Sequence, residues 1–468
     1  MALWTFEEVA DVLNLSPFST KKIHNLSIDS RNIAKGDLFI AIKGDQFDGH
    51  DYVQMALKNG AAGAIVGKNM PNIDKNRLFI VEDTQKALYD LARAARSRMR
   101  GKIMAITGSV GKTGLKEAAA HILQGQGKIH YTEGNLNNHL GLPLSLCRMP
   151  RDTDFGIFEI GMNHAGEITP LVQLLRPHIA AITAIAEAHA EFFDGPQDIA
   201  KAKAEIFLGF EGEGRVLLPG DDDWADFLMQ EAIDAGVSTI VTFGTTTNRN
   251  YCARRIELGL EGAKFDVHMG FGSFNENFKC YTKTWGYHYV LTAVAALGLV
   301  HLAGGDVHKA NERLASFSNP KGRGEITQIP LKNGKNITLV DDAYNANEVS
   351  MKAALSVFES SQIPTENRYI LLGEMLELGD KSEHAHMALK EHIIGANPQK
   401  LWLVGKAMQP LYEALKNDIS VSYSEKIDDI MDEVQNDLTN QSWLLVKGSH
   451  GSYVYKMVTA LKSIDPQS

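Results

Sequence analysis

Residues 103–124 constrain the fold of this chain more than any other stretch. They read IMAITGSVGKTGLKEAAAHILQ, which is a short apolar run, a turn with glycines, and then a helical pattern. The apolar positions of that pattern recur at helical spacing, at Leu115, Ala118, Ala119, Ile122 and Leu123. The order of strand, glycine turn and helix predicts one unit of an α/β fold with a mostly parallel sheet.

The turn itself, TGSVGKT at residues 107–113, predicts phosphate binding. Gly108 and Gly111 allow backbone N–H groups to close around an anion, and the helix N-terminus adds its dipole. Lys112 would reach the terminal phosphates of a nucleoside triphosphate, and the Thr113 hydroxyl would bind Mg²⁺. The full P-loop pattern has a glycine just before this turn, where the chain has isoleucine, so the match is to a shortened form.

Charge, cysteine content and the chain start restrict the class of protein. The net charge of −10, without a dense Lys/Arg cluster, argues against a nucleic-acid surface. Three cysteines leave one unpaired in any disulfide scheme, which favours a reducing compartment. The segment MALWTFEEVADVL lacks the basic start of a signal peptide, and the longest apolar stretch, residues 290–305, is too short to cross a bilayer. We therefore expect a cytoplasmic protein without membrane insertion.

The 468 residues correspond to about three domains at about 150 residues each. Residues 1–98 alternate short apolar runs with helical stretches and predict a small α/β domain. Residues 99–318 predict a central P-loop domain with a parallel sheet, to which residues 250–284 add antiparallel strands. The Pro/Gly-rich segment SNPKGRGE is a hinge candidate, and residues 319–468 predict a Rossmann-like domain with the strands ITLVDD, YILLG, LWLVG and WLLVKG.

Three residues beyond the turn are candidates for chemistry. Ligands bind beyond the carboxyl ends of parallel strands, and Glu159 ends the run FGIFEIG, where we favour an Mg²⁺ ligand over a chance polar residue. His189, in the loop EAHAEFF, fits a surface position and a site position equally well. Lys203 shares a helix face with apolar residues, and its residues alone favour an ordinary lysine whose ammonium reaches solvent.

Taken together, these segments resemble the Mur ligases, a family of ATP-dependent amide-forming enzymes of peptidoglycan synthesis. The similarity rests on TGSVGKT, EIGMNH, AEAHAEFF and AKAKAEIF, and on their order along nearly the whole chain. Further segments are most similar to the member that adds D-alanyl-D-alanine to UDP-N-acetylmuramoyl-tripeptide: DSRNIAKGDLFIAIKGDQFDGHDY, GNLNNHLGLPLSL, DDAYNANEVSM, LLGEMLELG and VKGSHGS.

The resemblance implies a mechanism with ATP and Mg²⁺. The carboxylate of the UDP-linked tripeptide would attack the γ-phosphate to give an acyl phosphate, and the amine of the dipeptide would then displace phosphate. Lys112 and the metal ions would offset the charge of the phosphoryl oxygens. His189 and Lys203 would also be catalytic, and the lysine would be carbamylated.

The resemblance also implies three sets of binding residues. The nucleotide would be held by Gly108, Ser109, Val110, Gly111, Lys112, Thr113, Thr292, Asp342 and Asn345. The metal ions would be held by Thr113, Glu159, His189 and Lys203. The UDP-linked substrate and the dipeptide would contact Ser30, Arg31, Asp48, Gly49, His50, Asn137, Asn138 and Asn347.

The chain departs from the family pattern at three positions. Thr292 occupies the place of the second asparagine in the family's His-Asn-x-x-Asn motif near adenine, and His450 and Gln46 stand where relatives often have arginine. Two alternative functions are another amide ligase of the superfamily, such as a folylpolyglutamate or diaminopimelate-adding enzyme, and a nucleotide sensor without catalysis. The third residue of the tripeptide is left open between diaminopimelate and lysine, and we expect a monomer.

Overall fold

The first part of the chain forms a small parallel sheet beside a short antiparallel pair. The computed structural model describes residues 2–17, 19–186, 192–193, 195–331 and 334–464. The first strands are β1 (Trp4–Thr5), β2 (Lys22–Ile23), β3 (Leu26–Ser27), β4 (Leu38–Ile40), β5 (Gly63–Val66) and β6 (Leu78–Ile80). The first helices are α1 (Phe6–Val12), α2 (Val53–Lys58) and α3 (Thr84–Arg98). The parallel sheet has the order β3-β4-β5-β6, and its first strand is too short to leave a sequence pattern.

A nine-stranded sheet forms the centre of the molecule. Its strands are β7 (Lys102–Thr107), β8 (Ile129–Tyr131), β9 (Phe155–Glu159), β10 (Ile179–Ile182), β11 (Arg215–Pro219), β12 (Thr239–Gly244), β13 (Tyr251–Gly259), β14 (Gly262–Phe271) and β15 (Phe274–Thr282). Its helices are α4 (Lys112–Leu123), α5 (Gly141–Cys147), α6 (Ile168–Leu175), α7 (Pro196–Ala204), α8 (Ala225–Asp234), α9 (Tyr287–Leu302) and α10 (Val307–Leu314).

The order of this sheet is β15-β14-β13-β12-β11-β10-β7-β9-β8. Its pairs are parallel from β8 to β13, and β13, β14 and β15 are antiparallel, so the predicted change in strand direction is confirmed. The P-loop strand β7 lies between β10 and β9, with Ile106 paired to Glu159. This register brings the phosphate-binding turn and the Glu159 carboxylate to the same edge of the sheet.

The last part of the chain forms a six-stranded mixed sheet. Its strands are β16 (Glu325–Pro330), β17 (Asn336–Asp342), β18 (Arg368–Gly373), β19 (Lys400–Val404), β20 (Val421–Ser424) and β21 (Trp443–Lys447). Its helices are α11 (Glu348–Ser360), α12 (Ser382–Met387), α13 (Lys390–Ala396), α14 (Gln409–Leu415), α15 (Met431–Asp437) and α16 (Tyr455–Lys462). The order is β16-β17-β21-β18-β19-β20, with β16 antiparallel to β17. The four predicted strands are β17, β18, β19 and β21, and the sequence did not predict the two edge strands.

The apolar stretch at 290–305 is a core helix. Helix α9 is buried on almost every side from Val290 to Leu302, between α4 and the central sheet. Each fully buried aliphatic side chain contributes about 1.5–3 kcal/mol to the free energy of unfolding, which makes α9 a major part of this core. In the part of the chain that the structure describes, no helix has both the length and the apolar character needed to cross a membrane. The predicted α/β fold with a small first domain, a central parallel-sheet domain and a third domain is confirmed.

Candidate functional site

A cavity of about 880 Å³ opens between the central sheet and the C-terminal sheet. Its wall includes the turn 109–115, part of the loop 134–139, the end of β9 and the first turns of α9. The other wall comes from residues around Pro320, Asp342 and Lys447. The cavity therefore joins the predicted phosphate site to polar residues of the C-terminal sheet.

The phosphate-binding turn has the backbone conformation that its glycines allow. Gly108 and Gly111 have φ angles of +147° and +83°, and a Cβ on Gly108 would overlap the hydroxyl of Thr183. Lys112 folds back over the turn, and its Nζ donates to the Gly108 carbonyl at 2.7 Å. Burial lowers the pKa of Lys112, and the nearby Glu159 carboxylate opposes this shift. The Lys112 ammonium has only backbone carbonyls as hydrogen-bond partners here, so a phosphate in the turn would offer it a stronger acceptor.

Thr113 and Glu159 form a buried pair of oxygen ligands at the floor of the cavity. The Thr113 hydroxyl donates to Glu159 Oε2 at 2.8 Å, and the carboxylate is only 3% exposed. The Asn137 side chain donates to the other oxygen, Oε1, at 2.9 Å. Hydroxyl and carboxylate oxygens are ligands that Mg²⁺ prefers, so the donor set fits this ion. Within the described ranges, no group of three or more His, Cys, Asp or Glu side chains is arranged for a metal.

Lys203 lies on the inward face of α7, as the helical spacing predicts. Its neighbours Ile199 and Ala200 on this face are buried, Lys203 is 3% exposed, and Lys201 is exposed. Burial lowers the pKa of Lys203 well below its usual value, and the charge of Lys112 lowers it further. The burial contradicts the interpretation of Lys203 as an ordinary lysine whose ammonium reaches solvent. His189 lies outside the described residues.

Two of the three asparagines assigned to substrate make local hydrogen bonds. Asn138 Oδ1 accepts from the N–H groups of Leu140 and Gly141 at the start of α5, at 3.2 and 2.9 Å. Asn347 caps α11, because its Oδ1 accepts from the Ser350 N–H at 2.9 Å. Both asparagines also line the cavity, so capping and substrate contact remain compatible at these positions.

Substituting Asn347 would separate its two roles. We expect Asn347→Ala to lower the free energy of unfolding by about 1 kcal/mol, because the helix loses its cap. Asn347→Ser is the matched variant, since serine caps helices as well as asparagine does. Urea unfolding and turnover are measured together. If Asn347 also contacts substrate, the serine variant keeps its stability and loses turnover. An alanine variant as stable as the wild type would contradict the capping role.

Thr292 and His288 lie at the start of α9 in the cavity wall. The Thr292 hydroxyl donates to the His288 carbonyl at 3.0 Å, one helical turn back. Burial lowers the pKa of His288 to about 4, so the imidazole is neutral at neutral pH. The Thr292 hydroxyl oxygen can still accept a hydrogen bond from adenine, because only its O–H is used by the His288 carbonyl.

The C-terminal sheet contributes an ion pair to the cavity. Lys447 Nζ lies 2.7 Å from Asp342 Oδ2 and also donates to the Asn345 carbonyl at 3.2 Å. Burial raises the pKa of Asp342, and the Lys447 charge opposes the shift. The structure thus brings the predicted Asp342 and Asn345 together, and adds Lys447, which the sequence analysis treated only as part of a motif.

Arg323 is a cavity residue that the sequence analysis missed. It lies in the segment interpreted only as a hinge, its guanidinium stacks 4.3 Å from the centre of the Tyr344 ring, and its carbonyl accepts from the Tyr289 hydroxyl at 2.6 Å. The signal available was an arginine between two glycines, both of which have positive φ angles here. Its charge lowers the pKa of Lys112, since the two basic side chains lie near each other beside the turn.

The residues predicted to hold UDP lie in or directly beside two short 3₁₀ turns, Ser30–Asn32 and Gly49–Tyr52, and do not line this cavity. Arg31 pairs with Asp29 at 2.8 Å and is largely exposed. His50 Nε2 accepts from the Gly67 N–H at 2.7 Å, and Nδ1 lies 2.5 Å from Asp48. Hydrogen bonds from the His50 backbone and ring lower the pKa of Asp48 to about 2. His50 therefore orders its own turn.

Ser30 and Gly49 complete this predicted UDP group. Ser30 is buried, and its carbonyl accepts from the Asn59 side chain at 3.1 Å. A Cβ on Gly49 would lie 2.6 Å from the Ile42 carbonyl oxygen, so this tight turn requires glycine.

Comparisons with known proteins agree along the chain. Three family models match in order: the Mur ligase family catalytic domain over residues 22–96, the Mur ligase middle domain over 106–300, and the Mur ligase glutamate ligase domain over 322–450. The UDP-N-acetylmuramoyl-tripeptide–D-alanyl-D-alanine ligase of Rickettsia prowazekii is 33% identical, covering 97% of this chain and 99% of its own. The Escherichia coli enzyme of the same name is 32% identical, covering 98% of each chain.

The fold comparison gives the same result. A crystal structure of MurF from Acinetobacter baumannii superposes with a TM-score of 0.84 at 27% identity, covering 98% of this chain and 99% of that one. Sequence identity above 30% over the full length, three family models in order and this superposition all agree. The chain belongs to the Mur ligase family.

Proposed function

We propose that this protein is an ATP-dependent ligase that joins D-alanyl-D-alanine to UDP-N-acetylmuramoyl-tripeptide. The products would be the UDP-linked pentapeptide precursor of peptidoglycan, ADP and phosphate. The observation that carries the proposal is one cavity in which Lys112, Thr113 and Glu159 face Asp342 and Lys447 of the C-terminal sheet. The names of the full-length relatives supply the substrates.

Two bond exchanges account for the reaction. A terminal carboxylate oxygen of the tripeptide attacks the γ-phosphorus of ATP, the bond to the bridging oxygen breaks, and ADP leaves. The amine of D-alanyl-D-alanine then attacks the acyl carbon, loses a proton, and expels phosphate. Each step moves negative charge onto oxygens, so fixed cations provide most of the catalysis that the protein can supply.

Lys112 and Arg323 are the cations placed for this task. Lys112 Nζ now binds the Gly108 carbonyl, and a γ-phosphate in the turn would offer it a stronger, charged acceptor. Arg323 enters the cavity from the segment that connects to β16, so it would follow the C-terminal sheet when that sheet closes on the nucleotide. Asp342, Asn345 and Thr292 would contact the nucleotide, and Asn347 the dipeptide.

Thr113 and Glu159 would hold Mg²⁺ together with phosphate oxygens. The ion would supply charge compensation on the transferring phosphoryl group. Asn137 would keep the carboxylate oriented, since it donates to the oxygen that Thr113 leaves free. His189 and a carbamylated Lys203 would be ligands of the second ion.

The burial of Lys203 supports its proposed carbamylation. A neutral amine adds to carbon dioxide, one N–C bond forms, and one proton is released, so a neutral group becomes an anion. The buried position favours the neutral amine, and the neighbouring Lys112 charge then stabilises the carbamate that forms. A charged ammonium group would be unfavourable in this buried position, whereas the carbamate anion would attract the metal ion and Lys112.

The N-terminal sheet would bind the UDP end of the substrate. Hydrogen bonds between Asp48, His50 and Gly67 hold the turn 48–50, which contains Gly49, and Ser30 and Arg31 belong to the same domain. The three proposed domains comprise residues 1–98, 99–318 and 319–468. A monomeric, cytoplasmic enzyme is also proposed, in keeping with three buried free cysteines.

Release of ADP and phosphate is expected only when ATP, UDP-N-acetylmuramoyl-tripeptide and D-alanyl-D-alanine are all present. Coupled ADP detection with each component omitted in turn measures this dependence. Tripeptides ending in diaminopimelate and in lysine are compared to assign the third residue. Comparable turnover with folate or free glutamate would support the alternative amide ligase. Phosphate release that does not depend on added D-alanyl-D-alanine would support the nucleotide sensor.

A further inference from the structure

Lys116 is a buried lysine that the proposed mechanism does not use. It lies one helical turn after Thr113 on α4, and its side chain is 0% exposed. Burying an ammonium group is costly unless hydrogen bonds and charges satisfy it. The surrounding structure must therefore supply specific partners, and these partners indicate what the residue does.

The ammonium group binds the carbonyl at the exit of an edge strand. Lys116 Nζ donates to the Thr132 carbonyl at 2.7 Å and lies 3.0 Å from Glu117 Oε1. Thr132 directly follows β8, and its hydroxyl accepts from the Glu159 N–H at 3.2 Å. Lys116 is therefore linked through one buried threonine to the backbone of Glu159, whose carboxylate binds Thr113 on the same helix.

Thr132 also directly precedes the loop 133–139, part of which lines the cavity. The middle of the loop is held at Asn137, whose side chain binds Glu159 and whose carbonyl accepts from the Gly161 N–H at 2.9 Å. Its end is held by the Tyr89 hydroxyl, which donates to the His139 carbonyl at 2.9 Å. At the start, the Thr132 N–H donates to the Ile157 carbonyl at 3.0 Å, and Lys116 adds the hydrogen bond that comes from the phosphate-binding helix.

We propose that Lys116 is a positioning residue that sets the place of the loop 133–139 relative to the phosphate-binding helix. This rests on the proposed function, in which that loop faces the muramoyl-tripeptide. The ammonium group links α4 to Thr132. It thereby helps to keep the Asn137 side chain at hydrogen-bonding distance from Glu159, which also binds Thr113. The attacking carboxylate of the tripeptide and the γ-phosphate of ATP would thereby keep a constant position relative to each other.

Lys116→Met tests this role, because methionine fills similar volume without a charged donor. We expect the KM for the UDP-linked tripeptide to rise about tenfold, because one charged hydrogen bond is lost. The KM for ATP should change by less than about twofold. Hydrogen–deuterium exchange of residues 133–140 should rise in the free protein, while exchange in β7 and α4 stays at the wild-type level. The exchange measurement needs no turnover.

Thr132→Val and Thr132→Ser form a second, matched pair. Valine keeps the shape of threonine and removes the acceptor for the Glu159 N–H, whereas serine keeps the acceptor. We expect the valine variant to share the raised tripeptide KM and the raised exchange of 133–140, and the serine variant to resemble the wild type.

Equal increases in both KM values, or faster exchange throughout the central sheet, would overturn the positioning role in favour of a general stabilising one. Unchanged exchange and kinetics in Lys116→Met and Thr132→Val would also overturn it. If wild-type protein shows no turnover that depends on D-alanyl-D-alanine, the proposed function fails, and exchange of 133–140 still decides whether Lys116 anchors the loop.

Discussion

Replacing Lys112 by alanine is expected to reduce turnover by about a hundredfold or more. The residue lies in the phosphate-binding turn, where its ammonium now binds the Gly108 carbonyl and would move to the transferring phosphoryl group. Because it acts on charge that develops during the reaction, the loss should appear mainly in kcat. Steady-state rates at saturating ATP, with circular dichroism to check the fold, measure this effect.

Lys128→Ala is the control for the Lys112 variant. Lys128 directly precedes β8 of the same central sheet. It is largely exposed and paired with Asp152, so its removal should leave the turnover rate unchanged. A Lys112→Ala protein that turns over near the wild-type rate would show that the turn is not the ATP site. The proposed reaction would then lose its main electrostatic component.

Lys203→Ala should lose most activity, and a small carboxylic acid at high concentration should restore part of it. The alanine variant leaves space where the carbamate would lie, and a carboxylate can take up the same anionic position. Burial and the Lys112 charge lower the pKa of Lys203, so the neutral amine that reacts with carbon dioxide is available at a lower pH than for an exposed lysine. Rates with and without added acetate or formate, and the intact mass without denaturation, measure the effect.

Lys201→Ala is the matched control on the same helix. Lys201 is exposed, two residues away, and should tolerate alanine without loss and gain nothing from added acid. Lys203→Met separates packing from chemistry, since it fills the space and cannot form a carbamate or admit an acid. If both Lys203→Ala and Lys203→Met keep activity, the lysine is structural and the carbamate proposal is wrong.

The sequence predicted the elements whose signals are local. The strand–turn–helix of the phosphate-binding turn, the change to antiparallel strands after residue 250 and four strands of the C-terminal sheet are all present. Strands β3, β8 and β20 were missed because they are short and, unlike β4 and β6, do not consist of consecutive apolar residues. The antiparallel edge strand β16 was missed because it follows the Pro/Gly-rich segment that was interpreted as a hinge. Helix spacing placed Lys203 on the inward face, but its residues alone favoured an ammonium that reaches solvent, and the structure shows the side chain buried.

By itself, the sequence determined the phosphate-binding turn, because glycine conformation and the helix start depend on neighbouring residues. Only the tertiary structure decided which polar atoms meet, because their partners are far apart in the chain. Thr113 and Glu159 are 46 residues apart, and Lys447 and Asp342 are 105 apart. The same long-range packing paired the His50 ring with the Gly67 N–H and placed Arg323 beside the P-loop. Hydrogen bonds and charge pairs form where sheets and loops converge, and no local spacing encodes that convergence.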